Sequence, residues 1–557
     1  MKVGNVLQVE SKYQWSQAPH IGDVKGLMRS LYRGRGVTDN QQAKDYLYPQ
    51  GQSVYSPWLL HDMDKAVARI QQAIDNQEMI TIYGDYDADG ITSTSLLYET
   101  LRDLGANVYY YVPDRFRDGY GPNADAYQRI VSQGTQLIIT VDNGVSGKDV
   151  IDPVVQSGVD VVITDHHELP DQLPQMATAI VHPAYPDSGY PFTGLSGVGV
   201  AFKLAWALTG QFPLNKLDLV AIGEIADVVP VNDENRYLIQ TGLKVLSQTQ
   251  RYGLQMLIEN AGLTGRALNS VDVGFNIAPR LNALGRIGNA SDGVTLLTSY
   301  DHDELNQLVT KVEDLNTRRK NLVSQIYDQA QVQVEGNQNQ ALIVAGHGWH
   351  QGVLGIVASR IMDDTGKPTL VVSNNDGVSV AKGSGRSRDG FDLYQALMPH
   401  QDLMVSFGGH PQACGLSVAE SQIQQLQVAF NQEALKQGFN ANQKPALSVD
   451  VVVPAQLVNQ RHVVDLIQKL QPYGPGNLQP EIEINNVVAD NFFQMGDHHQ
   501  HLKFRLNGLT CVMFNIDPHL MDDLIDKPLD VVGKLSLNYW RGKVTVQLLV
   551  DDLRESK

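Results

Sequence analysis

Cysteine is nearly missing: Cys414 and Cys511 are the two in 557 residues. Two thiols make no disulfide framework in a chain of this size, so a reducing, cytoplasmic setting is expected. No apolar stretch approaches the roughly 20 residues of a membrane-spanning helix, and no membrane contact is expected. The first residues, Met1-Lys2-Val3-Gly4-Asn5-Val6, lack the apolar segment of a secretory signal, and none is expected. A basic surplus is missing too: 43 Lys and Arg face 61 Asp and Glu, a formal charge of −18. Over the whole surface that balance argues against non-specific nucleic-acid binding, which needs a basic face. Internal repeats and low-complexity tracts are absent. What remains, 42% hydrophobic and 19% charged residues, is the composition of a soluble globular protein. A length of 557 residues predicts about three or four domains.

The basic residues that exist are gathered. Lys311, Arg318, Arg319 and Lys320 share one helix, Arg280 and Arg286 one expected loop, and Lys382, Arg386 and Arg388 another. An acidic protein with a basic channel is compatible with an anionic substrate. An ordinary solvated helix face is the alternative for the 311–320 run.

Residues 1–50 carry a helical pattern without identifiable chemistry. A helix is expected over 62–76, with Ala66, Ile70, Ala73 and Ile74 on one face. Strands are then expected over 79–83, 107–112, 137–141, 159–164 and 178–181, alternating with helices over 91–104, 124–133 and 148–157. This alternation predicts a mostly parallel sheet with helices on both faces. Gly194-Leu195-Ser196-Gly197-Val198-Gly199 opens a helical stretch expected to run through 226. Residues 300–335 predict one long polar helix of the kind that links domains. A second α/β unit starts with the strand 341–345 and the helix 355–362 and continues through the strand 368–373 to about 440. After a linker over 437–446, residues 447–555 predict a small β-barrel with one helix near 461–470, the OB-fold being the leading option. The domains so delimited are 1–50, 51–235, 236–338, 339–440 and 447–557.

Three of the expected strands break off into acidic or histidine clusters: Gly84-Asp85-Tyr86-Asp87-Ala88-Asp89-Gly90, Asp142-Asn143-Gly144, and Asp165-His166-His167-Glu168. In an open α/β sheet ligands bind beyond the carboxyl ends of the strands. Asp85, Asp87 and Asp89 repel one another, and a bound cation relieves this. A calcium loop would need Glu at its twelfth position, where Leu96 stands, and a helix where a strand pattern precedes it. Asp142 taken alone reads more readily as a solvated turn than as a ligand, whereas Asp165-His166-His167 is the stronger signal, a helix N-cap by Asp165 being its alternative. Asp227, inside an apolar stretch, calls for a partner, either a cation or a salt bridge. The four segments together supply carboxylates and imidazoles and no thiolate, a donor set for manganese or magnesium rather than structural zinc. Five or more ligands suit two ions clamping the oxygens of a phosphoryl displacement.

In their order and spacing, these segments resemble the DHH phosphoesterase family. The resemblance implies Asp87, Asp89, Asp142, His166 and Asp227 as ligands of two Mn2+ or Mg2+ ions, with Asp142 bridging. It leaves His167 to contact the substrate phosphate, and Asp85 and Asp165 in supporting catalytic roles. Gly383-Ser384-Gly385-Arg386-Ser387 and Phe407-Gly408-Gly409-His410-Pro411-Gln412-Ala413-Cys414-Gly415, two tight turns when taken alone, resemble the substrate-binding domain that follows in this family (DHHA1-like). There His410 would lie near the leaving phosphate, with Gly408 and Gly409 beside the anion. Residues 112–121, 276–286 and 348–357, with Tyr473-Gly474-Pro475-Gly476-Asn477 in the barrel, narrow the resemblance to the family's single-strand-specific DNA exonucleases, which digest 5′ to 3′ in recombination and repair. It implies Asn276, Arg280, Arg286, Ser384 and Arg386 as phosphate-gripping residues, and Arg115, Phe116 and Tyr120 as charge and stacking in a strand channel. Expected partners are single-stranded DNA, a single-strand-binding protein and a RecQ-type or other helicase, acting on a monomer. A small-molecule or very short-oligonucleotide phosphoesterase and a non-catalytic single-strand-binding or scaffold protein are the rival readings. The barrel and the long helix speak against the first, the complete ligand set against the second.

Overall fold

The structure, a computed structural model, describes residues 9–49, 51–186, 188–374, 378–496, 499–516, 520–540 and 543–556. Met1–Val6, read for a secretory signal, lie outside them. The chain forms two compact units, one of Ser56–Asp227 with Lys244–Gln443, the other of Met1–Tyr55 with Val228–Leu243 and Lys444–Lys557.

The first unit contains two sheets. Strands β1 (Met79–Tyr83), β2 (Asn107–Tyr111), β3 (Leu137–Val141), β4 (Asp160–Thr164) and β5 (Ala179–Val181) are all parallel, in the order β2-β1-β3-β4-β5. Every residue of β3 is buried, as a parallel strand covered on both faces requires. Helix α1 (Met63–Asp75) buries Ala66, Ile70, Ala73 and Ile74, the face read from the sequence. Helix α2 (Ala88–Asp103) follows β1 directly, and Asp87 caps it: its carboxylate accepts from the amides of Asp89 and Gly90, each at 3.0 Å. The strand order reverses between β1 and β3, the point where such sheets open a crevice at their carboxyl ends.

The helical stretch expected through 226 is two helices. Helix α3 (Gly197–Thr209) stops at Gly210, whose φ of +65° ends it in the left-handed conformation, with Pro213 just beyond. Helix α4 (Leu217–Ala226) then runs to its C-cap, Asp227. A second correction concerns Arg280 and Arg286, which lie in helix α5 (Ala278–Ile287) and not in a loop. Pro279 sits in its first turn, where the missing N–H costs nothing. The long polar helix is present as α6 (His302–Val334).

The second sheet takes the order β9-β10-β8-β7-β6 from β6 (Leu342–His347), β7 (Thr369–Asn374), β8 (Val380–Arg386), β9 (Met404–His410) and β10 (Ala413–Ala419). The two glycine-rich segments expected as loops are therefore neighbouring antiparallel strands, Ser384 pairing with Gly415 and Gly408 likewise. The glycines of β8 answer close packing: a Cβ on Gly383 would stand 2.6 Å from Val372, and one on Gly385 2.4 Å from Leu370.

In the second unit, β11 (Val451–Val452), β12 (Ile482–Met495), β13 (His501–Leu506), β14 (Leu509–Phe514), β15 (Pro528–Trp540) and β16 (Lys543–Glu555) form one sheet. It closes through a β12–β15 pairing into a barrel of β12-β13-β14-β16-β15, with β11 added on β12. The N-terminal segment belongs to this unit. Leu27 and Leu31, from the helix Val24–Arg33, sit in the barrel's core with Val463, Ile467, Phe504 and Leu548. Gln14–Trp15 pair in parallel with Ala446–Leu447. Asp552 accepts from the amides of Lys12 and Tyr13 and from Trp15 Nε1, at 3.0, 3.1 and 2.7 Å.

One close approach ties α5 to the end of β1: a Cβ on Gly285 would lie 2.0 Å from the Tyr86 carbonyl oxygen. Gly285→Ala should overpack this contact and destabilise the protein by about 1–3 kcal/mol. Urea unfolding of the two proteins measures it, and an unchanged midpoint would refute the contact.

Candidate active site

The carboxyl ends of β1, β3 and β4 converge with the end of α4. Asp85 and Asp89 are 2% and 1% exposed, Asp142 is 2% exposed, and Asp87, His166 and Asp227 are half-buried. His166 Nε2 lies 3.1 Å from Asp142, 3.6 Å from Asp227 and 3.9 Å from Asp89. Donor atoms of Asp85, Asp87 and Asp142 fall within 4.8 Å of one another, as do those of Asp89, His166 and Asp227 and those of Asp142, His166 and His167. Asp142 thus belongs to two of the three groups.

Backbone devices hold these side chains in place. Asp89 is gripped by the N-terminus of α3: its carboxylate accepts from the amides of Gly197 and Val198, at 2.7 and 2.9 Å, and from Ser196 Oγ at 3.2 Å. Ser196 and Gly197 are functional residues that the sequence reading took only for a helix start. Gly197 leaves no room for a side chain, since its Cβ would sit 2.5 Å from Asp142. Asp142 itself adopts φ +62°, a left-handed turn that Asp tolerates. Asn143 Nδ2 donates to the carbonyls of Gly84 and Val141, each at 3.0 Å, and so ties the two strand ends together. Asp165 accepts from the amides of His166, His167 and Val145 and lies 2.8 Å from His167 Nδ1.

The electrostatics follow from burial. Burial and then the Asp87 charge push Asp85 up to about 8 and Asp89 up to about 7. Burial and then Asp89 push Asp227 up to about 8 and Asp142 well above the carboxylate range. Burial and the neighbouring His167 lower His166 to about 3, leaving a neutral imidazole fit to ligate. Burial opposes both partners of the Asp165–His167 pair, yet their hydrogen bond and mutual charge hold Asp165 below its ordinary range and raise His167 to about 9. Asp85 Oδ1 is buried with no hydrogen-bond partner. An orphaned carboxylate oxygen, crowded acids and a neutral imidazole fit a hard divalent cation.

Beside the cluster lies a cavity of about 310 Å³, lined in part by Arg115, Phe116, Arg286, Lys382, Ser384 and Arg386. Tyr86 stands between the two, its ring 4.8 Å from the Arg115 guanidinium. Burial and then Arg115 and Arg386 lower Arg286 to about 10, and burial lowers Arg386 as well. Among the described residues none of these three arginines pairs with a carboxylate. The cavity therefore carries guanidinium charge with no carboxylate in ion-pair contact among the described residues. A slightly larger cavity, about 360 Å³, is lined by Glu99, Lys216, Asp218 and Arg251, whose charges already pair with one another.

Other expected site residues lie elsewhere. Arg280 is 9% exposed and bonded to Glu313 at 2.6 Å and to the Asn276 carbonyl at 2.7 Å, so its guanidinium is committed within the protein. Asn276 is half-buried in the π-helical turn before α5. His410, Gly408 and Gly409 are exposed on β9 and do not line the cavity.

Family models match the chain in three places: the DHH family N-terminal domain over residues 79–224, the DHHA1 domain over 338–436 and the RecJ OB domain over 449–552. The single-stranded-DNA-specific exonuclease RecJ of Bacillus subtilis (strain 168) is 39% identical over 564 residues, covering 98% of this chain and 71% of that protein. The chain belongs to the RecJ family. RecJ of Thermus thermophilus in complex with Mn2+ superposes with a TM-score of 0.83 at 30% identity, over 98% of this chain and 79% of that one. The Mg2+ complex of the same RecJ gives a TM-score of 0.77 at 29% identity, over 98% and 78%.

The raised carboxylates set the response to pH. Their folded pKa values lie above the ordinary carboxylate value of 3.8, so the ion-free folded state holds more protons than the unfolded state between about pH 4 and 8, and its stability falls as pH rises through that window. Mn2+ should expel these protons and reverse the loss. The gain in melting temperature on adding Mn2+ should therefore grow from pH 6 to pH 8, and a constant gain would contradict the cluster's electrostatics.

Proposed function

We propose that this chain is a divalent-metal-dependent exonuclease that hydrolyses single-stranded DNA from its 5′ end. The observation that carries this is the adjacency, within one unit, of a carboxylate–imidazole cluster and a cavity of unpaired arginines. A phosphodiester chain meets both needs, since its backbone is a row of anions and its cleavage develops charge that a cation stabilises.

Asp87, Asp89, Asp142, His166 and Asp227 would hold two Mn2+ or Mg2+ ions, Asp142 belonging to two of the three donor groups. Bound there, the ions supply Lewis-acid activation of the phosphodiester. His167, aligned by Asp165 through Nδ1, presents its ring edge to the phosphate. Arg286, Arg386, Ser384 and Arg115 grip the backbone at the cavity, with guanidinium forks matched to phosphate oxygens. Phe116, 49% exposed at the cavity rim and in edge contact with His350 at 5.4 Å, offers a stacking face for a base. A channel too narrow for a duplex would give strand selectivity, and the barrel would supply a single-strand-binding surface of its own. We further assign a cytoplasmic place in recombination and repair, beside a single-strand-binding protein and a RecQ-type or other helicase. Among the described residues no helix is long and apolar enough to cross a membrane.

End-labelled single strands digested with Mn2+ test the reading: the 5′ label should be released first, with duplex DNA resistant and chelator abolishing the reaction. Loss of the 3′ label first would overturn the polarity. Asp142→Ala should abolish cleavage while retaining strand binding by fluorescence anisotropy, and wild-type digestion by that variant would sink the two-ion assignment. Arg286→Ala, which removes one charged phosphate contact, should raise KM about ten- to a hundredfold. An unchanged KM would remove Arg286 from the phosphate grip.

A further inference from the structure

His167 has no nitrogen left for a substrate. Its Nδ1 lies 2.8 Å from Asp165 Oδ1, and its Nε2 lies 2.8 Å from the Tyr120 hydroxyl. The Asp165 carboxylate is buried and backed by three backbone amides, whereas Tyr120 is 54% exposed. A phosphate oxygen can therefore reach His167 Nε2 only where the Tyr120 hydroxyl now stands.

Tyr120 is also the one point of its loop built to move. Upstream, the buried Asp118 carboxylate is held by the Asp114 amide at 2.9 Å, the Tyr111 hydroxyl at 2.6 Å, Arg117 and Arg129. Downstream, the Gly121 carbonyl accepts from the Tyr83 hydroxyl at 3.0 Å, and Asn123 caps the helix Ala124–Ser132. Between these anchors Tyr120 is flanked by Gly119 and Gly121, at φ +80° and +75°. A Cβ on Gly119 would meet nothing within 4 Å, and one on Gly121 only Ser146 Oγ at 3.9 Å. Two glycines in open space thus act as hinges on either side of one aromatic residue. Its ring meets those of Tyr86 and His167 edge-on, at 6.4 and 5.8 Å.

The geometry points to Tyr120 as a hinged positioning residue that competes with the substrate phosphate for His167. The substrate displaces the hydroxyl on entry, and the hydroxyl reclaims Nε2 as the product leaves, so Tyr120 weakens by the same factor every ligand whose phosphate uses His167. A strand that also fills the arginine cavity binds despite this penalty, whereas a released mononucleotide, with fewer contacts, leaves readily. This inference rests on the proposed phosphate contact of His167.

Tyr120→Phe keeps the ring and removes the competing bond. A lost hydrogen bond of ordinary strength corresponds to about fivefold in affinity. KM for a short single-stranded oligonucleotide and the inhibition constant of dTMP should both fall about fivefold, in the same proportion. An unchanged or raised inhibition constant in a variant with wild-type melting temperature would overturn the competition, because a hydroxyl that supports the bound state weakens both on removal. If the wild-type protein itself releases no nucleotide from single strands in Mn2+, the proposed function fails and not the competition. In that case dTMP binding to the two proteins, followed by calorimetry, still reads the competition directly.

Discussion

Crowded, buried carboxylates are the constraint around which this unit is arranged. Asp85, Asp89 and Asp142 are almost fully buried within reach of Asp87 and Asp227, and burying even one unpaired carboxylate costs several kcal/mol. The chain meets this by giving three of these acids, and the neighbouring Asp165, a rigid backbone device. Asp87 caps α2, Asp89 takes the N-terminal amides of α3, Asp142 turns through a left-handed residue, and Asp165 collects three amides. Much of the local sequence then becomes glycine by necessity. Gly197 lies against Asp142, Gly223 against Asp89 and Gly285 against Tyr86. The helices can approach closely enough to aim the acids only where no Cβ intervenes.

The second half of the arrangement is charge of the opposite sign held a short distance away without neutralising the first. Arg115, Arg286 and Arg386 surround the cavity and repel one another, and Arg286 feels both Arg115 and Asp87. Tyr86 separates the two fields, its carbonyl against α5 and its ring beneath Arg115. On the proposed function, an anionic strand would mediate between them, its phosphates meeting the arginines and its scissile group lying over the acids. Such a local field explains how a chain of formal charge −18 can belong to a family of DNA nucleases.

The parallel sheet and its acidic strand ends were legible because β-branched runs and helical spacing carry strong periodicity. The strands at 79–83 and 137–141 were read to the residue. The glycine-rich strands β8 and β9 were not, since each carries a single β-branched residue, Val380 or Val405, and their glycines mimic turns, while the reason for Gly383 and Gly385 lies in the distant partners Val372 and Leu370. Arg280 was assigned to phosphate because its partner Glu313 sits 33 positions away on another helix, a pairing no local pattern reveals. The Ser196–Gly197 clasp on Asp89 is equally non-local, 107 and 108 positions from its acceptor. Gly194 through Gly199 held the signal: three glycines at the head of an apolar helix mark a close approach.

The N-terminal helix Val24–Arg33 has its apolar face in the core of a barrel whose strands lie between residues 451 and 555. During synthesis that face emerges some 420 residues before its binding surface exists. At roughly 5–20 residues per second, Leu27 and Leu31 wait on the order of a minute, exposed to water and to other chains. The ribosome thus releases a segment that stays unfinished while the catalytic sheets can already close. Its protection in that interval falls to chaperones, or to the polar residues that flank its two leucines.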